Sequence, residues 1–224
     1  MRPGLTLLSS LVAAVLATAA TAQMADLSDP DALTARNVAL STAEHRGVSA
    51  LRVVEAGERS EGEDKLAIVL PDGFRDGTIE VMLAGDRVEG APEGARGFVG
   101  LAFRVQPDGS AFEAIYLRPY NGRSEDQLQR NHSIQYISYP AAGWRTLREE
   151  TPGKYESYVD LEPGAWTRLR IEVAGTTARA YVGEASQPAL IVRDLRMGTA
   201  EGGVALWIGP GTLAHFRDLS ITRN

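Results

Sequence analysis

The chain predicts an all-β fold, a sandwich of two antiparallel sheets, and three observations carry that prediction. Apolar residues alternate with period 2 in short runs, the signature of half-buried strands. Turn markers recur between those runs, among them Pro71-Asp72-Gly73, Asp76-Gly77, Pro107-Asp108-Gly109, Asn121-Gly122 and Pro163-Gly164. No segment beyond residue 22 keeps a 3.6-residue period long enough for a substantial helix.

Residues 1–22 read as an export signal and not as part of the fold. Arg2 supplies a positive start, residues 5–17 an apolar run, and Ala20-Thr21-Ala22 a small-x-small cleavage site. The apolar run is too short for a membrane anchor, and a chain with 0 Cys offers no cysteine for lipid attachment. The expectation is a soluble secreted or periplasmic protein beginning near Gln23, with no membrane insertion. Residues 23–224 then form one domain, with 23–36 as its lead-in. There Ser28-Asp29-Pro30-Asp31 predicts the cap of a short helical turn. Strands are predicted at 37–41, 49–54, 65–70, 78–83, 98–105, 112–118, 133–139, 166–173, 177–182, 189–192, 203–208 and 215–222. Segments 55–64, 120–132 and 141–154 read as long loops, a length more often functional than ornamental in a compact domain.

The stretch 97–119, GFVGLAFRVQPDGSAFEAIYLRP, shows the logic most plainly. Phe98, Gly100, Ala102 and Arg104 point one way; Val99, Leu101, Phe103 and Val105 point the other. Pro107-Asp108-Gly109 turns the chain, since Pro presets φ and Gly accepts positive φ. In the return strand Glu113 shares parity with Ile115 and Leu117, so either it sits among aliphatics near a strand end or a bulge changes the phase. Trp166, Trp207 and Phe216 stand where large aromatics anchor the layer between two sheets.

Charge excludes more than it selects. The formal net charge of −6 argues against nucleic acid or an anionic membrane surface as partner. His45, His132 and His215 lack metal-ligand spacing, so no metal site is assigned. Asn121, His132, Gln135, Tyr136 and Tyr139 make 120–139 a dense mixture of amides and aromatic rings, with Trp144 in the next loop. Amides bind sugar hydroxyls and ring faces stack on sugar C–H surfaces. The ligand-binding candidates are therefore Arg104, Glu113, Tyr116, Arg118, Asn121, His132, Gln135 and Trp144.

Three segments, Phe74-Arg75-Asp76-Gly77-Thr78-Ile79-Glu80, the 97–119 hairpin, and 203–208 leading into Phe216-Arg217-Asp218-Leu219-Ser220-Ile221, together resemble the concanavalin A-like lectin/glucanase superfamily. Trp166-Thr167-Arg168-Leu169-Arg170-Ile171-Glu172-Val173, followed by Gly175 and Ala178-Arg179-Ala180-Tyr181-Val182, is similar to a hairpin of laminin G-like domains. The resemblance extends to the 3-keto-disaccharide hydrolase domains of secreted bacterial proteins. It implies a jelly-roll sandwich and a carbohydrate or glycoconjugate partner.

The resemblance also offers enzymatic alternatives. Sandwich glucanases of this superfamily carry two carboxylates on one strand face, in a Glu-x-Asp-x-Glu or Glu-x-Asp-x-x-Glu motif, and retaining hydrolysis needs such a pair about 5 Å apart. That motif is absent, and residues 58–64 (ERSEGED) imitate it only in a polar loop expected to be solvated. Glu80 and Glu113 remain the catalytic candidates, if Glu80, Arg104, Glu113 and Arg118 line one polar cleft on the concave sheet. The competing reading pairs Glu113 with Arg104 across strands as a structural ion pair. Laminin G-like domains also imply calcium, but no Asp-rich loop of calcium spacing is present, and no cofactor is assigned. Three readings stand: a carbohydrate-binding module, a glycoside hydrolase similar to the 3-keto-disaccharide enzymes, and an adhesion or structural module with no small ligand.

Overall fold

The computed structural model describes residues 22–57 and 62–224. In chain order its strands are β1 (Ala22–Met24), β2 (Thr34–Arg36), β3 (Val38–His45), β4 (Val48–Glu55), β5 (Leu66–Phe74), β6 (Gly77–Arg87), β7 (Val99–Val105), β8 (Phe112–Leu117), β9 (Ile134–Tyr139), β10 (Glu156–Ser157), β11 (Thr167–Ala174), β12 (Thr177–Val182), β13 (Leu190–Val192), β14 (Gly202–Ile208) and β15 (Thr212–Arg223). Three short helices occupy segments expected to be loops: α1 (Pro119–Gly122), α2 (Gln127–Arg130) and α3 (Trp144–Glu150). The export-signal segment lies outside the described residues except for Ala22.

The strands form two antiparallel sheets, a jelly-roll sandwich. One runs β13-β12-β11-β6-β15-β4-β3, with β1 also paired to β15; the other runs β10-β9-β8-β7-β14-β5-β2. Residues 23–36 are built into both sheets. Asp29 caps the predicted turn at Pro30–Ala32 by accepting a hydrogen bond from the Asp31 N–H. Asn37, at φ 54°, separates β2 from β3, so the strand expected from residue 37 begins at Val38.

Alternation sorts the side chains into two buried layers. Between the sheets lie Leu51, Ile79, Val81, Ile171 and Phe216 from the first sheet, facing Leu101, Phe103, Ile115, Tyr136 and Leu206 from the second. The second sheet also buries its opposite face, where Ala102, Phe112, Ala114, Tyr116, Ala205 and Trp207 form a separate apolar layer. Loops and α3 cover part of this face, with Trp144 packed against it. Trp207 is thus buried as expected, but on the outer side of its sheet and not between the sheets. Phe216 does occupy the inter-sheet layer. Trp166 does not: it is half-buried on the surface, edge-on to His45 at 5.3 Å, with the Arg217 guanidinium 5.0 Å from its ring.

The expected parity of β7 holds as far as Phe103 and then breaks. Arg104 takes φ 54°, and the β7–β14 register jumps from Phe103↔Val204 to Val105↔Gly203. This bulge moves Val105 to the outer layer and turns Arg104 toward Glu113. Glu80 is in the other sheet, on β6, with its side chain 3.9 Å from Arg168. Glu80, Arg104, Glu113 and Arg118 therefore share no cleft, because a sheet boundary separates the first from the rest.

His45 and His215, distant in sequence, stack at 4.2 Å with their planes 12° apart. Burial, with His45 and Arg52 adding repulsion, pulls the His215 pKa down to about 4. A histidine depressed in the folded state binds fewer protons there than in the unfolded chain, so its stabilising effect is present above about pH 6.5 and lost toward about pH 4. The melting temperature is expected to fall across that window, and His215→Gln to flatten the fall. An unaltered slope in the variant would assign the pH dependence elsewhere.

Candidate functional site

On the outer face of the second sheet lies a cleft of about 420 Å³, within the size range of small-ligand sites. Trp207 and Tyr116 form an aromatic floor, their rings 4.4 Å apart, and Phe98 stands edge-on to Tyr116 at 6.2 Å. Trp144 completes the apolar wall. Chain geometry explains the rest. β8 ends at Leu117, and Pro119 at the first position of α1 forces a turn that leaves Arg118 at the strand's end. Asp126 caps α2 through the Leu128 N–H at 2.8 Å, and the segment returns with His132 beside Arg118.

A charged network holds the polar side rigid. Arg118, 5% exposed, donates to the Tyr116 hydroxyl at 2.9 Å and the His132 carbonyl at 3.1 Å. Its guanidinium is 3.8 Å from the Glu156 carboxylate. Arg148 grips the same carboxylate with two bonds of 3.0 and 2.7 Å, and His132 Nε2 approaches it at 3.2 Å. One buried carboxylate therefore fixes two guanidinium groups and an imidazole, a charge-assisted arrangement. Burial lowers the His132 pKa, with Arg148 and Arg118 adding to the shift against Glu156. Burial pushes the Tyr116 hydroxyl up to about 12, so it remains a protonated donor-acceptor at neutral pH.

Asn121 also lines the cleft and is 4% exposed. Its amide donates to the His132 carbonyl at 3.0 Å, while its Oδ1 has no partner. A buried acceptor without a donor is costly unless something from outside supplies one.

Five of the sequence candidates thus come together: Tyr116, Arg118, Asn121, His132 and Trp144 all line the cleft. Gln135 sits on β9 opposite Tyr116 and is buried, donating to the Tyr136 and Tyr155 carbonyls, with its Oε1 unpartnered; it does not line the cleft. Arg104 and Glu113 do not line it either. They form a fully buried ion pair at 3.2 Å, in which Arg104 also donates to the carbonyls of Arg75, Gly175 and Gly198. Glu113 accepts from the Tyr136 hydroxyl at 2.8 Å and the Met197 N–H at 3.1 Å, and burial still holds its pKa above the usual carboxylate range. This pair ties loops together at one end of the sandwich, the cross-strand alternative raised by the sequence.

Sequence reasoning missed Glu63, Arg96, Phe98 and Arg148 as lining residues. Glu63 belongs to the acidic loop expected to be solvated. Residues 58–61 of that loop lie outside the described residues, but Glu63 reaches the cleft, where it accepts from the Trp144 N–H at the start of α3. Burial raises its pKa, opposed by that bond and by Arg118 and Lys65. Its backbone carbonyl accepts the Trp207 Nε1–H at 2.6 Å. Among the described residues no group of three or more His, Cys, Asp or Glu side chains could hold a metal ion. No described helix is long and apolar enough to cross a membrane.

No family model matches the sequence, and no curated protein matches it. Among solved structures, the carbohydrate-binding module CBM66 from Bacillus subtilis is similar over 83% of this chain and 94% of its own, at 14% identity and a TM-score of 0.53. A Bacillus subtilis protein of unknown function with a galectin-like fold covers 84% of this chain and 90% of its own, at 10% identity and a TM-score of 0.49. The Caenorhabditis elegans galectin LEC-6 covers 71% and 91%, at 11% identity and a TM-score of 0.45. At such identities the likeness is one of architecture alone, a sandwich of two antiparallel sheets.

Proposed function

We propose that the protein is an exported carbohydrate-binding module and that the cleft over the second sheet is its binding site. One observation carries the reading: a wall of Trp144, Phe98, Trp207 and Tyr116 shares a single concavity with the fixed Arg118 guanidinium and the Asn121 side chain. A sugar ring presents the complementary surfaces, C–H faces for the aromatic rings and hydroxyls for the guanidinium and the amide oxygen. The resemblance to a carbohydrate-binding module in fold agrees with this. Export rests on residues 1–22 of the sequence.

The hydrolase alternative has lost both of its proposed acids. Glu80 is in the other sheet and Glu113 is locked in the Arg104 pair. Glu63 is the carboxyl that lines the cleft among the described residues. Glu156 lies behind it, held by Arg118, Arg148 and His132. Binding is therefore the better-supported reading.

The test is calorimetry of the protein against a glycan panel, with and without calcium, followed by Trp144→Ala. A bound glycan is expected to lose about tenfold in affinity in the variant, since stacking on one ring contributes about 1.5 kcal/mol. No binding by any glycan would favour a structural or adhesion module.

A further inference from the structure

The charges around the cleft are unbalanced in a way a neutral sugar does not require. Arg96, Arg118 and Arg148 line it, against Glu63 as the lining carboxyl among the described residues. Glu156, behind the wall, is shared by Arg118 and Arg148. Even with both carboxyls ionised, three guanidinium groups face two carboxylates. The excess is positive in a chain whose formal net charge is −6, so it is local and opposes the molecule's overall sign.

Arg96 accounts for the excess. Its Nη1 donates to the backbone carbonyls of Glu93 and Ala95. It makes no ion pair with any carboxylate among the described residues, and its other N–H groups have no acceptor there. The nearby Arg87 guanidinium is occupied, stacked 3.9 Å from the Tyr120 ring and donating to the Ala95 carbonyl at 2.8 Å. Burial, aided by Arg87 and Arg118, lowers the Arg96 pKa, with Glu93 opposing; an anion beside it would offset that penalty. A guanidinium with unused donors in a partly desolvated cleft matches a planar or tetrahedral oxyanion.

Building on the carbohydrate reading, we propose that the site takes an acidic saccharide, one whose sugar bears a carboxylate or a sulfate, and that Arg96 is the residue that selects it. The aromatic wall then holds the ring, Arg118 and Asn121 take its hydroxyls, and Arg96 receives the anionic group. Selection of this kind weakens with salt, because the pairing lies near solvent.

The test is calorimetric titration of the full protein with uronate, sulfated and neutral trisaccharides of the same gluco and galacto series, at low and high salt. At least one acidic ligand is expected to bind about tenfold or more tighter than its neutral counterpart, the range of a charge-assisted hydrogen bond. The uronate and sulfate arms identify which anion is preferred. Arg96→Gln is expected to abolish the preference, and Arg96→Lys, which keeps the charge without the fork, to retain part of it. Neutral sugars bound as tightly as acidic ones would overturn acidic selection while leaving carbohydrate binding in place. A preference that survives Arg96→Gln would overturn the role of Arg96. Failure of every trisaccharide to bind would overturn both readings.

Discussion

Arg104→Ala is expected to destabilise the protein by about 3–5 kcal/mol, the range for breaking a buried ion pair by removing one partner. The substitution leaves the fully buried Glu113 without its cation and strips donors from the carbonyls of Arg75, Gly175 and Gly198. Glu113 keeps the Tyr136 hydroxyl and Met197 N–H, which limits the loss. Arg104→Lys should recover little, because one ammonium cannot reproduce a planar fork serving three carbonyls and the carboxylates of Glu113 and Asp76. Urea denaturation, with the slope checked for constancy, measures this. A loss below about 1 kcal/mol would mean that the pair is solvated and carries no structural weight.

The second large effect is on binding. Arg118→Ala is expected to lower saccharide affinity by about a hundredfold, the upper range for a charge-assisted bond, with a stability cost of about 1–3 kcal/mol. The cost is smaller than at Arg104 because Glu156 is not orphaned: Arg148 and His132 remain on it. Calorimetry under conditions where denaturation shows the variant folded separates the two effects. Full affinity in a folded variant would remove Arg118 from the site and leave it as a brace for Tyr116 and Glu156.

The sheets were legible because period-2 alternation survives wherever one face of a strand differs from the other, as in β11 and β12. It fails in β14, where Val204, Leu206 and Ile208 face one layer and Ala205 and Trp207 another. Both faces are apolar, so the pattern does not say which one Trp207 joins. The Arg104 bulge was equally silent, since a positive φ at a non-glycine residue leaves no mark in composition. The N-cap of α3, Gly143, offers no side-chain cap, and Glu63, which accepts from the Trp144 N–H, lies far back in the chain. Glu63 looked solvated for the same reason: its partners come from other segments. Tyr116, Arg118, Asn121, His132 and Trp144 were found because polar and aromatic side chains crowd one short stretch around a strand end.

The strand order has a kinetic consequence. β6 lies between β11 and β15, pairing Ile79 with both Ile171 and Ile221, and β14 lies between β5 and β7. Neither sheet can grow by adding successive hairpins, because the interior of each waits for a partner far along the chain. Loop-closure entropy must be overcome before those pairings return any energy, which puts folding in the millisecond-to-second class of β-rich topologies. During that interval the unpaired strands offer apolar faces and open edges to other chains, so refolding yield should depend on protein concentration well before stability becomes limiting.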